Sequence, residues 1–508
     1  MTDTLTRPVD AYRRPTWTEA VGQALPPKLQ VESTPRWVGR APLIALLALL
    51  AALSLRLSNT AFIDEALYIN AGHDYLTHWL TGDGVEPYGD SFSGVPFVYP
   101  VFAAVLDTLG GLLLVRGFSL LCVLAATIFV YRALADLGYQ REGMLAAAVF
   151  ALTGPVVFAG ALATFDALVI AMLAAAFWTG VQKGWASAVA TGAILGLVPV
   201  MKYTGAIFIP VVLGVVFLTS PRWRAVLAGV IAAAIPGAAW FAWSDQIAAG
   251  IAFTTADRTA LSPYSAGELV AWMALDIGIL ILIALVGGLL LARRGPGHAL
   301  LGLGLLGGGA ALPAAQLILG EPAAQLILGE AVSFDKHMAY SALFLAPLAG
   351  YALAKLSRRT WKLLPVTVLL LTALLFGVSR SDAMFSSWVS VQPVLDVIED
   401  DPRPGIYISS ATDSLKYHLR DRSEITWETT FSLYPQGEEA IRVAVEDQRF
   451  QSVIFRSAST GAPDQDAGQA VLLQSLRDSS NYELTAIMPA REHSETDMWL
   501  VFTKKETG

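Results

Sequence analysis

Cysteine is almost missing from this chain of 508 residues, the single one being Cys122. That excludes an intramolecular disulfide and any cysteine-based metal site. Because Cys122 lies inside an apolar block, it reads as a small buried hydrophobe. Charge is scarce too: Asp, Glu, Lys and Arg make up 15% of residues and the formal net charge is −8, so no broad basic field exists to recruit nucleic acid. Lys and Arg are wholly absent from Ser58 to Val115. A glycine-rich phosphate loop and clustered metal ligands are absent from the polar C-terminal part, and no period of a solenoid repeat appears.

Apolar residues fill the space that charge leaves. They reach 55% of the chain with a mean hydropathy of +0.54, which excludes an ordinary soluble globular class. Up to about residue 379 they form blocks near the roughly 20 residues that cross a bilayer core. Eleven spans are predicted: Ala41–Leu57, Leu112–Tyr131, Gly143–Gly160, Ala167–Val181, Trp185–Val200, Tyr203–Thr219, Ala225–Trp243, Leu269–Leu291, Ala299–Leu319, Met338–Ala354 and Leu363–Val378. The expected fold class is therefore a polytopic α-helical membrane protein. About 40 polar residues precede the first block, which has no small-residue cleavage site, so that block is expected to stay as an anchor.

Lys and Arg set the orientation, because they are enriched in cytoplasmic loops. Arg7, Arg13, Arg14, Lys28, Arg36 and Arg40 place the tail of residues 1–40 in the cytoplasm. Alternation then puts Arg132, Arg141, Lys183, Arg222, Arg224, Arg293, Arg294, Lys355, Arg358, Arg359 and Lys362 on the same side. The first outer loop, residues 58–111, receives the stretch devoid of Lys and Arg. Within it Val98–Gly111 is apolar but short, which suits an interfacial helix on the outer leaflet. Pro313–Glu321 is repeated at once as Pro322–Glu330. This tandem nonapeptide reads as a local duplication broken at Pro322, its second copy an outer interfacial segment.

From residue 380 onward, strand-like runs (Gly405–Ser409, Ser452–Phe455, Trp499–Phe502) alternate with helical patterns at Ser414–Arg420, Gly437–Gln448 and Gln469–Asp478. A small α/β domain is expected, placed outside by the odd number of spans. Its role is expected to be docking an acceptor or covering the site in the 41–379 membrane domain.

Just after the first span, Phe62-Ile-Asp-Glu-Ala-Leu-Tyr68 puts Asp64 and Glu65 side by side at the outer face. Neighbours on a helix differ by about 100°, so the two acids point at different partners. Taken alone, acids in a first helical turn are ordinary. Asp166 changes this reading: it sits at the outer end of the fourth span, where a carboxylate is costly unless it is paired or faces a polar cavity. Of sixteen Lys and Arg between Ala41 and Val378, only Arg56, Arg116, Lys202, Arg258 and Lys336 fall on the outer side. Each alone could snorkel to headgroups; together with His337 they suit an anion-binding group. Acids beside a phosphate site point to glycosyl transfer. Outside the membrane no nucleotide-sugar pool exists, so the expected donor is a polyprenyl-phosphate sugar. A carboxylate would take the acceptor proton while the hydroxyl attacks the anomeric carbon from the face opposite the phosphate, inverting it. Lys and Arg would stabilise the departing phosphate.

These residues resemble the GT-C superfamily, specifically glycosyltransferase family 39, with its protein O-mannosyltransferases and lipid A aminoarabinose transferases. Asp64-Glu65-Ala66-x-Tyr68 resembles the acidic motif of that family. Tyr99-Pro100 and Gly110-Gly111 followed by Arg116-Gly-Phe-Ser-Leu are similar to its second landmark. Thr164-Phe-Asp166 resembles the second acidic site, and Lys336-His337 before Ala346-Pro347-Leu348 the late basic motif, where Lys-His replaces the commoner Arg-Tyr. The resemblance implies Asp64 as general base, Glu65 orienting the acceptor or Asp64, Asp166 positioning the acceptor or tuning Asp64, and Tyr68, Tyr99 and the basic residues contacting substrate. It implies an envelope glycan, lipid or protein acceptor and a multi-pass plasma-membrane location. No sugar-binding trefoil domain is visible, which counts against a protein O-mannosyltransferase. Some relatives use a divalent metal, but the sequence requires none. The competing expectation is a transporter or flippase, which tends to carry ionisable residues near the midplane; only Asp276, inside Leu269–Leu291, fits that pattern.

Overall fold

The computed structural model describes residues 41–255, 266–319, 332–357, 363–460, 463–491 and 496–505. The 1–40 tail, Arg258, Arg358, Arg359, Lys362 and the second copy of the nonapeptide lie outside the described residues. Helices dominate the first part: α1 Ala41–Ser54, α2 Ile63–Thr81, α3 Val98–Ala135, α4 Gln140–Ala151, α5 Gly154–Ala161, α6 Phe165–Val181 and α7 Trp185–Met201. A 3-10 turn at Tyr203–Phe208 leads into α8 Ile209–Thr219. Then come α9 Arg222–Thr255, α10 Ala266–Ala292, α11 Pro296–Leu319, α12 Val332–Leu356 and α13 Leu363–Phe385.

Among the described residues six helices are long and apolar enough to cross a membrane, and a seventh span results if bent α4 and α5 count as one. The remaining apolar segments, Ala41–Ser54, Phe165–Val181, Trp185–Met201 and Tyr203–Thr219, are helical but shorter. The outer faces of the long helices are apolar: Phe241 in α9 is 92% exposed and Leu113 in α3 74%. A helix apolar all round is suited to lipid rather than water. The fold is thus that of a polytopic membrane protein.

Three departures from the expected spans have local causes. Gly143–Gly160 is no single rod but is bent by 67° between Ala151 and Gly154, where Pro155 lacks an N–H and restricts the residue before it. The interfacial segment and second span follow each other directly in α3 as two helical pieces, broken at Gly110 and at Gly111, whose φ is +64°; glycine adopts that left-handed backbone without a Cβ penalty. The break falls on the boundary expected between Val98–Gly111 and Leu112. Finally, α12 begins at Val332, so Lys336 and His337 sit inside a helix rather than ahead of it.

The C-terminal part is a five-stranded sheet with order β2-β1-β3-β5-β4. It follows α14 Gln392–Asp400 and comprises β1 Gly405–Ser409, α15 Thr412–His418, β2 Ile425–Thr429, α16 Thr430–Leu433, α17 Glu438–Glu446, β3 Ser452–Arg456, α18 Pro463–Asp478, β4 Tyr482–Pro489 and β5 Met498–Lys504. β2, β1 and β3 are parallel, while β5 and β4 are antiparallel. Side chains alternate between faces: Ile454 joins the core with Leu395, Leu415 and Trp499, whereas Val453 and Phe455 join Ile441, Leu472 and Phe502. Both faces are covered, as an inner parallel strand requires.

Candidate active site

Four helix ends meet at one end of the bundle. Asp64 lies in the first turn of α2, Asp166 in that of α6, Lys202 caps the C-terminus of α7, and Lys336 and His337 lie in the second turn of α12. Close packing makes this possible. A Cβ on Gly72 would come within 2.0 Å of the Pro100 carbonyl oxygen, so glycine lets α2 press onto α3.

Lys336 joins the two acids. Its Nζ donates to Asp64 Oδ2 at 2.5 Å and lies 3.6 Å from Asp166 Oδ2, so one ammonium reaches both carboxylates. Lys202 Nζ donates to Asp166 Oδ1 and lies 2.8 Å from His337 Nε2. Tyr340 OH also donates to Asp166 Oδ1 at 2.9 Å, and Thr164 Oγ1 to Oδ2 at 3.3 Å. Asp166 is fully buried, whereas the Asp64 carboxylate keeps 14% of its exposure. Asp64 is thus the acid open to an incoming group, and Asp166 holds the two lysines. Below them Tyr68 packs against Phe92, Tyr99 and Phe165 with centroids 5.2, 5.9 and 4.8 Å away. Lys202 Nζ stands 5.1 Å from the Phe165 centroid, a cation–π contact.

Glu65 belongs to another cluster. Arg116 forks onto it, Nε to Oε1 at 2.9 Å and Nη2 to Oε2 at 2.7 Å. The backbone N–H groups of Ala163 and Phe62 also donate to it, at 2.7 and 2.9 Å. Arg116 also donates to the Asn59 and Thr60 carbonyls. Every Glu65 lone pair is thereby committed to holding the loop before α2 against α3 and the segment before α6. The expected set of outer cations therefore divides. Lys202, Lys336 and His337 gather at Asp64 and Asp166; Arg116 serves Glu65; Arg56 pairs with Asp382 at 2.5 Å; and Arg258 lies outside the described residues. Asp276 pairs with Arg380 at 2.7 Å, a contact between α10 and α13.

The α/β unit roofs this end. From α15, Ser414 Oγ donates to the Ala61 carbonyl at 3.0 Å, His418 Nε2 accepts from Ala61 N–H at 3.2 Å, and the Asp413 carbonyl accepts from Asn70 at 3.0 Å. Lys416 pairs with Asp74, while Tyr417 OH and Arg420 Nη1 both donate at 2.7 Å to Asp107, which His73 also meets at 2.9 Å. Burial and the nearby Arg116 guanidinium lower the His418 pKa, keeping its ring neutral for the Ala61 contact. Burial raises Asp413 to about 6; Lys416 opposes the rise, while Glu86 and Asp64 add to it. Asp413 thus stands within electrostatic reach of Asp64.

Sequence reasoning missed Tyr340 and the whole α15 contact. Tyr340 could have been found: it lies four positions, about one helical turn, after Lys336 and three after His337, on the face they share. No local signal marks α15 as a roof, because its partners are more than 300 residues away. Among the described residues no three His, Cys, Asp or Glu side chains come together to hold a metal ion, and both site carboxylates carry ammonium groups.

No protein-family profile matches the chain, and no curated protein does. Solved structures do. ArnT from Cupriavidus metallidurans bound to undecaprenyl phosphate superimposes with a TM-score of 0.58 at 15% identity, over 92% of this chain and 98% of that one. The mycobacterial arabinofuranosyltransferase AftD gives 0.55 at 14% identity, over 94% of this chain and 40% of that one. The Archaeoglobus fulgidus oligosaccharyltransferase, in complex with Zn and sulfate, gives 0.51 at 15% identity, over 81% and 67%. The chain therefore has the GT-C fold that its acidic and basic motifs resemble.

Proposed function

We propose that this protein is a membrane glycosyltransferase of the family 39 type, moving a sugar from a polyprenyl-phosphate donor to a hydroxyl on an extracytoplasmic glycan, lipid or protein. The observation that carries the reading is Asp64 and Asp166 bridged by Lys336 at the helix ends of a GT-C fold, with Lys202 and His337 alongside. The polyprenyl phosphate in the ArnT structure supports the donor class. The reading includes eleven spans with residues 1–40 in the cytoplasm, a 41–379 catalytic domain whose 58–111 loop and 380–508 domain face outward, and a plasma-membrane location.

In this reaction the donor phosphate draws Lys336 away from Asp64, joined by Lys202, and the released carboxylate turns to the acceptor hydroxyl. Asp64 takes the proton as the oxygen bonds to the anomeric carbon from the face opposite the phosphate. The C–O bond to phosphate breaks, its electron pair leaves with the polyprenyl phosphate, and the centre inverts. The lysines stabilise the charge on that oxygen. Asp166, fully buried and held by Tyr340 and Thr164, positions both lysines rather than meeting the acceptor. Tyr68 and Tyr99 line the approach for the sugar. Glu65 and Arg116 shape the loop that carries Asp64. Asp276, the one feature that favoured a transporter, is accounted for by Arg380.

The test is Asp64→Asn in vesicles supplied with a polyprenyl-phosphate sugar. Formation of the glycosidic bond should fall by about 10²–10⁴-fold, the range for losing a general base, with expression and melting temperature unchanged. Full transfer by the variant would remove Asp64 as the base.

A further inference from the structure

A second polar pocket lies at the end of the bundle opposite Asp64. α6 begins beside Asp166 and runs 17 residues to Val181, about 25 Å at 1.5 Å per residue, so Val181 marks the other bilayer face. There a cavity of about 420 Å³ is lined by Asp136, Tyr139, Lys183, Ser220, Trp223 and Arg224 among others. Arg224 is only 3% exposed. Its Nη1 donates to Ser220 Oγ at 2.9 Å and its Nη2 to Ser187 Oγ at 2.6 Å, but its Nε has no acceptor.

Arg224 differs from the other sheltered cations of the bundle. Arg116 faces Glu65, Lys202 faces Asp166, Lys336 faces Asp64 and Arg380 faces Asp276. Among the described residues no carboxylate lies within ion-pair distance of Arg224. A buried guanidinium held only by hydroxyls is costly unless an anion completes its shell. Asp136, the acid of the cavity, is already taken by Arg132, Trp178 and Gln182 at 3.1, 2.9 and 2.8 Å. Of the lining residues Lys183 and Trp223 are exposed, Trp223 at 50%, and so are their near neighbours in sequence Arg222 and Trp185, the latter at 69%. Cations interleaved with tryptophan mark the headgroup level of a bilayer.

We propose that this pocket binds a net-anionic phosphate group, with Arg224 as its principal ligand and Lys183 as a second charge at the rim. Ser187 and Ser220 fix the guanidinium plane, and Nε–H is the donor left without an acceptor; Arg suits phosphate because its donors form a rigid fork. The group is carried by an anionic phospholipid of the adjoining leaflet or arrives as a free phosphate. The pocket stands apart from the transfer site, so this inference does not depend on the proposed reaction.

The test is native mass spectrometry of the full-length protein in micelles with phosphatidylglycerol, phosphatidylcholine or inorganic phosphate. Phosphatidylglycerol adducts should exceed phosphatidylcholine adducts, falling about tenfold in Arg224→Gln and less than about twofold in Arg222→Gln. That outcome assigns a lipid headgroup. Retention of inorganic phosphate with the same Arg224 dependence, and no preference between the lipids, assigns a free phosphate. Should Arg224→Gln fail to fold, the wild-type protein decides: phosphatidylglycerol or inorganic phosphate must raise its melting temperature and phosphatidylcholine must not. No anion preference in the wild-type protein, or equal losses in Arg222→Gln and Arg224→Gln, overturns the proposal.

Discussion

Asp64 and Glu65 are adjacent in sequence yet anchor two clusters built on different cations. Around Glu65 the cation is Arg116, bidentate, with backbone N–H groups taking the remaining lone pairs. Around Asp64 and Asp166 the cations are lysines, whose single ammonium sits between carboxylates and can be drawn off by a competing anion. Arginine with a saturated carboxylate builds a fixed loop; lysine leaves the Asp64 carboxylate partly exposed, as the proposed role of base requires. The helical period turns the two acids to opposite uses, since consecutive side chains point about 100° apart.

The comparison is pulled furthest apart by substituting each acid. Asp64→Asn should abolish transfer and leave stability intact. Glu65→Ala should do the reverse, because it strands Arg116 in a buried site at a cost of roughly 3–5 kcal/mol; the measurement is the melting temperature and yield of folded protein in detergent. A Glu65→Ala protein that folds normally and loses only transfer would place Glu65 in the reaction.

A smaller effect tests the roof over both clusters. Arg420→Ala removes one of three donors to Asp107 and should loosen the α15 contact by about 1–2 kcal/mol. Proteolysis of the 380–508 unit should then speed up while the bundle stays intact. Unchanged proteolysis would make that ion pair ornamental.

An effect of comparable size is one of pH. Asp413 has a folded pKa raised to about 6, above its value of about 3.9 in an unfolded chain. The folded state therefore binds the proton more tightly. Its stabilisation is complete below about pH 4 and is lost as pH rises through about 6. Asp413→Asn should flatten that dependence and raise the midpoint near pH 7 by an amount equivalent to roughly 1–2 kcal/mol. An identical pH profile in the variant would show that Asp413 does not titrate in this range.

Much of the molecule was legible in one dimension because a bilayer imposes length and hydropathy on each segment. Helices occur in all eleven expected segments, and the alternating runs at Gly405–Ser409 and Ser452–Phe455 are strands. β2 and β4 were missed: β2 is short and mostly half-buried, while β4, at a sheet edge, is largely exposed and breaks register between Leu484 and Ala486. At the site, Asp64, Asp166, Lys202, Lys336 and His337 stood out because charge is expensive beside apolar runs. The same reasoning grouped Arg116 with them, since rarity of charge cannot say which acid a cation will meet.

The order of apolar blocks, the acids at their ends and the alternation of the C-terminal strands were written locally, in residue type and period. Which carboxylate each cation serves, the bridging of Asp64 to Asp166 by Lys336, and the α15 roof came only with the tertiary structure. Such pairings join residues from 36 to more than 300 positions apart, and a one-dimensional pattern carries the cost of burying a charge but not the identity of the partner that offsets it.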